Sequence, residues 1–259
     1  MFVIKNISAG RFGNKLFYYN NLVQVSAHFG LKYSAPRFHN DDIFLFSNSN
    51  AEHIVQTNLD VDSDFLIANK NNKIENNNYN LKRCLGDLFF VYDSLATNKI
   101  FEFKPELIPE NDNHTVVAIH FRGTDFNLWD PKSILDYTYY LNSIELILNE
   151  SKNVKFKLFT DDTNLQSYKI CIQYLNEQKL DYSLGNINNL TDDFIDISYS
   201  DVIISSPSTF SITAGFCGKP NKKIIQSKFW VDYQCNNGDK FWINFNNGGN
   251  NNYKKYKLI

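Results

Sequence analysis

Between residues 116 and 226, apolar runs of strand length alternate with amphipathic runs of helix length, and this alternation constrains the fold more than any other feature of the chain. Residues 116–121, 154–159, 202–205 and 223–226 read as strands. Residues 136–149, with Tyr140, Ile144 and Ile147 on one face, read as a helix, as do 163–177, 193–200 and 208–217. Thr191 is the expected cap of the third helix, and Gly218 stops the fourth. The run Val116-Val117-Ala118-Ile119 is apolar without alternation, as in a strand covered on both faces. Such a pattern predicts a parallel, Rossmann-like sheet. No Gly-x-Gly-x-x-Gly occurs here, which argues against a dehydrogenase.

The chain opens in a similar way. Phe2, Val3 and Ile4 read as a strand, residues 10–13 as a glycine-punctuated turn, and Asn14 as the N-cap of a helix. That helix places Leu16, Tyr19, Val23 and Ala27 inward and stops at Gly30, and residues 31–34 return as a strand. From 41 to 80 the apolar pieces are short: 54–55 and 65–67 are expected as strands, and 88–95 as helix or strand. The polar stretch 110–114 is the expected boundary. The expectation is an α/β protein of two Rossmann-like halves facing across a cleft, residues 1–112 and 113–240, with a tail at 241–259.

The 259 residues are 43% apolar, enough for a sizeable core, and carry a net charge of −2. With no basic excess, nucleic acid is not an expected partner. Cys84, Cys171, Cys217 and Cys235 have no Cys-x-x-Cys spacing and read as reduced, mostly buried thiols. No leader or membrane span is read, so the expected setting is cytoplasmic.

Three polar segments each follow a strand. They are Gly10-Arg11-Phe12-Gly13-Asn14-Lys15-Leu16-Phe17, His120-Phe121-Arg122-Gly123-Thr124-Asp125, and Ser208-Thr209-Phe210-Ser211. Ligands of open α/β sheets bind at the carboxyl ends of strands, and an Arg there presents a planar, permanently charged fork to phosphate. Together the segments resemble the signature of GDP-fucose-dependent fucosyltransferases. The α-1,2-fucosyltransferases carry a similar Gly-x-x-Gly-Asn-Gln-x-Phe, a His-x-Arg-Arg-Gly-Asp-Tyr and a late Asn-Ser-Thr-Phe-Ser. The protein O-fucosyltransferases carry a similar Gly-Arg-Phe-Gly-Asn-Gln. This chain departs from the pattern at Lys15, at Gly123 in place of the second Arg, and at Ile212-Thr213 in place of Trp-Trp.

The resemblance implies a GT-B type glycosyltransferase. Its donor substrate would be GDP-fucose, its partner a glycan acceptor, its product most simply an α-1,2 linkage, and no cofactor or metal would be needed. Arg122 would then stabilise the leaving phosphate, helped by Ser208, Thr209, Phe210 and Ser211 at a helix start. Gly10, Gly13 and Asn14 would bring backbone close to the donor, and Arg11 would either meet phosphate or pair with a carboxylate. His120 either orients the nucleotide or packs as a neutral strand residue. Asp193 either reads guanine or merely favours a helix N-terminus. Asp161 would shape the pocket rim. Asp125 and Asp130 are candidate general bases, with anchoring of Arg122 the other role open to Asp125. The Asp-x-Asp matches among Asp60, Asp62 and Asp64 read as a solvated loop. Another nucleotide sugar, protein O-fucosylation and a non-catalytic glycan- or nucleotide-binding module are the alternatives.

Overall fold

A computed structural model describes residues 1–3, 10–45, 59–69, 71–75, 77–81, 101–110, 113–238 and 256–259. The expected strand at 54–55, the expected helix or strand at 88–95 and Cys84 lie outside these residues.

The protein is α/β with two parallel sheets. In the first, β1 (Phe2–Val3) lies between β2 (Tyr33–Ser34) and β4 (Tyr79–Leu81), with β3 (Leu59–Val61) at the edge, in the order β2-β1-β4-β3. Helix α1 (Phe12–His28) follows β1. Its C-terminus closes as the sequence implies. Gly30 takes a left-handed φ of 64°, its amide donates to the Ala27 carbonyl, and the Leu31 amide donates to the Ser26 carbonyl. Its start differs from expectation: Arg11 occupies the N-cap and Asn14 lies in the first turn. The inward face also differs. Leu16, Tyr19, Leu22 and Val25 are buried, but Ala27 is exposed and Val23 only half-buried. Polar Asn20, Asn21 and Gln24 are buried as well, so α1 is enclosed nearly all round. Residues 65–67 are not a strand but part of α2 (Ser63–Ala68). The Asp62 side chain accepts from the Phe65 amide at 3.0 Å, and this cap decides a short apolar run that suits either element.

The second sheet runs β10-β9-β8-β5-β6-β7. Its strands are β5 (Thr115–Phe121), β6 (Val154–Thr160), β7 (Tyr182–Leu184), β8 (Val202–Ser205), β9 (Lys223–Gln226) and β10 (Tyr256–Leu258). All seven residues of β5 pair with β6, and 117–119 pair with β8 on the other side. A short α3 (Phe126–Trp129) follows β5 and precedes α4 (Tyr137–Glu150). The remaining helices are α5 (Gln166–Glu177), α6 (Leu190–Tyr199), α7 (Thr209–Phe216) and α8 (Lys228–Asn236). Asn189, not Thr191, caps α6; its side chain accepts from the Asp192 amide, and the Thr191 hydroxyl donates to it. The described end of the chain is a strand on the sheet's edge, paired in parallel with β9.

Two apolar cores flank this sheet. One joins Phe159, Phe194, Ile197 and Ile203 to Leu16, Leu22 and Val61 from the N-terminal part of the chain. The other packs Val117, Ile119 and Phe121 against Tyr140, Ile144 and Leu175. Burial on both faces explains why β5 needs no polar alternation. Lys222 is buried, and its ammonium donates to the carbonyls of Ser198, Ala214 and Cys217, tying the ends of α6 and α7 together. Burial lowers its pKa to about 7.

Strands β5, β6 and β7 step one way across the sheet, whereas β8, β9 and β10 step the other. The order therefore reverses between β5 and β8, and a crevice opens at their carboxyl ends.

Candidate active site

A cavity of about 740 Å3 occupies that crevice, within the range of small-molecule sites. His120 and Arg122 reach it from the end of β5, Asp161 from the end of β6, and Ser208, Thr209 and Phe210 from the start of α7. Asp193 enters from α6 and Asp125 from the turn after β5. Gly10, Arg11, Gly13 and Asn14 form the facing wall. Two residues singled out from the sequence do not line it. Asp130 caps the turn at Pro131–Ser133, accepting from the Lys132 amide at 3.0 Å. Ser211 is fully buried, its hydroxyl 2.8 Å from that of Ser205.

Arg122 is held from several sides. Its Nη1 donates to Asp161 Oδ2 and its Nη2 to Asp125 Oδ1 at 2.5 Å, while the guanidinium lies 4.7 Å over the Phe126 ring. Its Nε is buried without a partner among the described residues. Burial lowers the guanidinium's pKa and Arg11 adds to this, while Asp161 and Asp125 oppose it. The group nonetheless stays charged, because an Arg side chain starts far above neutral pH. Asp161 also accepts from the Gly123 amide (2.8 Å) and the Thr124 hydroxyl (2.7 Å). Burial raises its carboxyl pKa; Arg122 and these donors more than reverse that and leave it below the usual value. Thr124 has a φ of 29°, a region that a β-branched residue rarely occupies.

Arg11 joins the same carboxylates from the facing wall, its Nη1 3.2 Å from Asp161 Oδ2 and its Nη2 3.4 Å from Asp125 Oδ1. A Cβ on Gly123 would sit 2.8 Å from Asp162 Cβ and about as close to Leu165. The backbone there has little room for a side chain larger than glycine's, and Arg11 brings a second guanidinium to the same carboxylates.

His120 is buried, with its Nδ1 2.7 Å from the Ser206 hydroxyl, and this contact bridges the ends of β5 and β8. Burial, and secondarily Arg122 against the pull of Asp161, lowers its pKa to about 3, so the imidazole is neutral. Ser208 caps α7 by accepting from the Phe210 amide. The Thr209 hydroxyl donates to Asn14 Oδ1 at 2.6 Å, which gives Asn14 a role other than capping its own helix. A Cβ on Gly13 would lie 2.6 Å from Phe210 N, so only glycine lets α1 approach α7 this closely.

Asp193 is buried one turn inside α6. Its Oδ1 accepts from the Asn186 amide at 2.8 Å, and a Cβ on Gly185 would come within 2.7 Å of the same oxygen. Burial raises its pKa to about 6; the Asn186 amide opposes the shift, while Asp196 and Asp192 add to it. Among the described residues, no cluster of His, Cys, Asp and Glu could hold a metal ion. Asp60 lies on β3, paired with Asn80, and Asp62 caps α2, so neither belongs to a plain solvated loop.

Sequence reading missed the apolar mouth formed by Leu128, Trp129, Ile187 and Leu190, which line the cavity yet remain exposed. The signal was present at Leu128-Trp129, large apolar residues in a polar segment just beyond the Arg122 motif.

No family model and no curated protein matches the sequence. Solved structures match by fold. The crystal structure of POFUT1 in complex with GDP-fucose superposes with a TM-score of 0.55 at 9% identity, over 83% of this chain and 93% of that one. The apo form of POFUT1 gives 0.56 at 10% identity, and its complex with GDP 0.51 at 8%, each over 83% of this chain and 94% of that one. Among the described residues, no helix is long and apolar enough to cross a membrane.

Proposed function

We propose that this protein is an inverting, metal-independent glycosyltransferase of GT-B type that moves L-fucose from GDP-β-L-fucose to an acceptor hydroxyl, giving an α-linkage. The observation that carries the reading is Arg122. It is a nearly buried guanidinium whose Nε has no partner among the described residues, and it shares a cavity with Arg11 and the N-terminus of α7. Breaking the C–O bond to the β-phosphate places negative charge on that phosphate. Two guanidiniums and a helix start are preorganised donors for it. His120, held neutral and fixed by its contact with Ser206, serves as a hydrogen-bonding group that orients the nucleotide. Asp193 accepts from the adjacent N1–H and N2–H of guanine. The acceptor's proton passes to Asp125 or to the departing diphosphate.

The three sequence segments and the shared fold with POFUT1 support the fucosyl donor. For the acceptor, the α-1,2 glycan linkage rests on sequence resemblance alone. The likeness to POFUT1, a protein O-fucosyltransferase, favours a protein hydroxyl as the second reading. Incubation with GDP-fucose and both saccharide and peptide acceptors, with GDP release and product linkage measured, tests the proposal. Absence of GDP release with every acceptor and with water would make the protein a binding module. Release from another nucleotide sugar in preference to GDP-fucose would replace the donor and keep the fold.

A further inference from the structure

We propose that Trp129 and the outer carboxylate oxygen of Asp125 form a subsite for a pyranose ring of the acceptor at the cavity mouth. The inference rests on the glycosyltransferase reading and names the acceptor class it favours. Among the described residues, every polar contact of the Asp125 carboxylate falls on Oδ1: Arg122, Arg11 and Thr124 all meet that atom. Among the described residues Oδ2 meets no donor, and the side chain that carries it is 52% exposed. One carboxylate thus anchors the phosphate-binding arginine through one oxygen and offers the other as a hydrogen-bond acceptor.

Trp129 lies four residues later, and its amide donates to the Asp125 carbonyl at 3.1 Å, closing one helical turn. Side chains four apart on such a turn are neighbours, with Cβ atoms about 5–6 Å from each other, roughly the width of a sugar ring. Trp129 lines the cavity and is 63% exposed, an unusual amount for an indole. It is not loose: Phe126 packs at 5.3 Å and buried Trp230 at 6.0 Å, both edge-to-face. Leu128, Ile187 and Leu190 extend the exposed apolar rim, and among the described residues Trp129 is its only aromatic member.

A pyranose matches this pair. It has one face of C–H groups that stacks on an aromatic ring and an equator of hydroxyls that donate to a carboxylate. A plain apolar ligand leaves Asp125 Oδ2 unused. A peptide backbone offers no flat C–H face to the indole.

The test is titration of the protein, with GDP present and absent, by methyl β-D-galactopyranoside and methyl β-D-glucopyranoside, followed by tryptophan fluorescence and calorimetry. At least one pyranoside is expected to change the fluorescence saturably. Trp129→Ala should weaken its binding about tenfold, the size of one aromatic stacking contact. Trp129→Phe should restore most of the loss and Trp129→Leu little, since Leu replaces apolar area without a ring. Asp125→Asn should raise the acceptor KM more than it alters GDP affinity. Equal rescue by Leu and Phe, or no effect of Ala, would overturn the subsite, as would transfer to a Ser/Thr peptide exceeding transfer to every pyranoside. Saccharide binding needs no donor, so failure to bind GDP would count against the donor reading alone. GDP binding without any pyranoside response would count against the subsite alone.

Discussion

The two walls of the cavity are built differently. The wall from the six-stranded sheet rests on strands of up to seven residues, covered on both faces, and it supplies Arg122, Asp125, Asp161, Asp193 and the start of α7. The facing wall follows β1, described over Phe2–Val3, and supplies Gly10, Gly13, Asn14 and a half-exposed Arg11. Charge is fixed where the backbone is best buried, since a strand end pinned on both sides cannot drift with its side chain. The opposite wall contributes closeness, through glycine and a helix docked on α7. Catalytic electrostatics should therefore be more sensitive to the first wall, and assembly of the cavity more sensitive to the second.

The sharpest test of this contrast sets one arginine against the other. Arg122→Ala is expected to lower kcat by about two to three orders of magnitude, as when one preorganised charge stabiliser is removed. Arg122→Lys should recover little, because an ammonium cannot bridge Asp161, Asp125 and a phosphate as a fork does. Arg11→Ala, exposed and without the ring contact that Arg122 makes with Phe126, should cost about tenfold, nearer to a surface charge pair than to a buried one. Equal losses at the two positions would show that both walls share the charge.

In the proposed reading, nucleotide selection belongs to the first wall as well. GDP should bind better than UDP or ADP, and Asp193→Ala should weaken it by about 1.5–3 kcal/mol, the worth of a hydrogen bond to a charged group. Burial has raised the Asp193 pKa to about 6 from the usual 3.8. A raised carboxyl favours the fold while protonated. Its contribution to stability is therefore complete below about pH 4 and is lost as pH rises through about 6. Guanine recognition runs the other way, because it needs the ionised form: GDP affinity should fall as pH drops below about 6. Calorimetry across pH 5–8 measures this, and Asp193→Asn should flatten both trends. A native affinity indifferent to pH over that range would remove Asp193 from the guanine site.

The second wall is tested by volume. Gly13→Ala puts a methyl 2.6 Å from backbone atoms of Thr209 and Phe210, which cannot swing away as a side chain tip can. Destabilisation of about 1–3 kcal/mol is expected from such overpacking, with loss of the Asn14–Thr209 contact. Gly30→Ala has open space around it and pays only for its positive φ, about 1 kcal/mol or less. Chemical denaturation of both variants separates steric crowding from backbone preference.

The same contrast governs what could be read from the sequence. The second sheet was legible at β5, β8 and β9 because each carries an unbroken apolar run, and at β6 because Val154, Phe156 and Leu158 alternate with Lys155 and Lys157, all between helices with clear faces. Strand β7 escaped notice, since Tyr182, Ser183 and Leu184 are a short, partly exposed set with no run to distinguish them. Apart from α1, the described pieces of the first part of the chain are two to six residues long, and local capping decides between element types, as Asp62 does for Phe65 and Leu66. Arg11 displaced Asn14 from the cap because Asn14 finds a better partner in Thr209, a residue 195 positions away that no local rule reveals. Of the candidate residues, those at strand ends line the cavity, as their position in the sequence implies. Asp130 and Ser211 lie off the cavity, because proximity in sequence to Asp125 and Ser208 does not fix which way a turn aims its side chains.

Chelation is expected to have the smallest effect of all. The carboxylates nearest the leaving phosphate in this reading, Asp125 and Asp161, are already occupied by Arg122 and Arg11. A divalent cation at the same oxygens would have to displace guanidiniums that already neutralise them, and the phosphate would then lose the donors that Arg122 and α7 direct at it. The Asp60, Asp62 and Asp64 carboxylates do not line the cavity. Transfer should therefore proceed in EDTA at a rate within about twofold of that in buffer, and added Mg2+ or Mn2+ should change it little, because the charge stabilisation comes from preorganised protein groups. Loss of turnover in EDTA with recovery on adding Mn2+ would mean that Asp161 or Asp125 exchanges its arginine for a metal when the donor binds. The contrast between the walls would then be redrawn, with Arg122 as the placeholder for a cation rather than the catalyst.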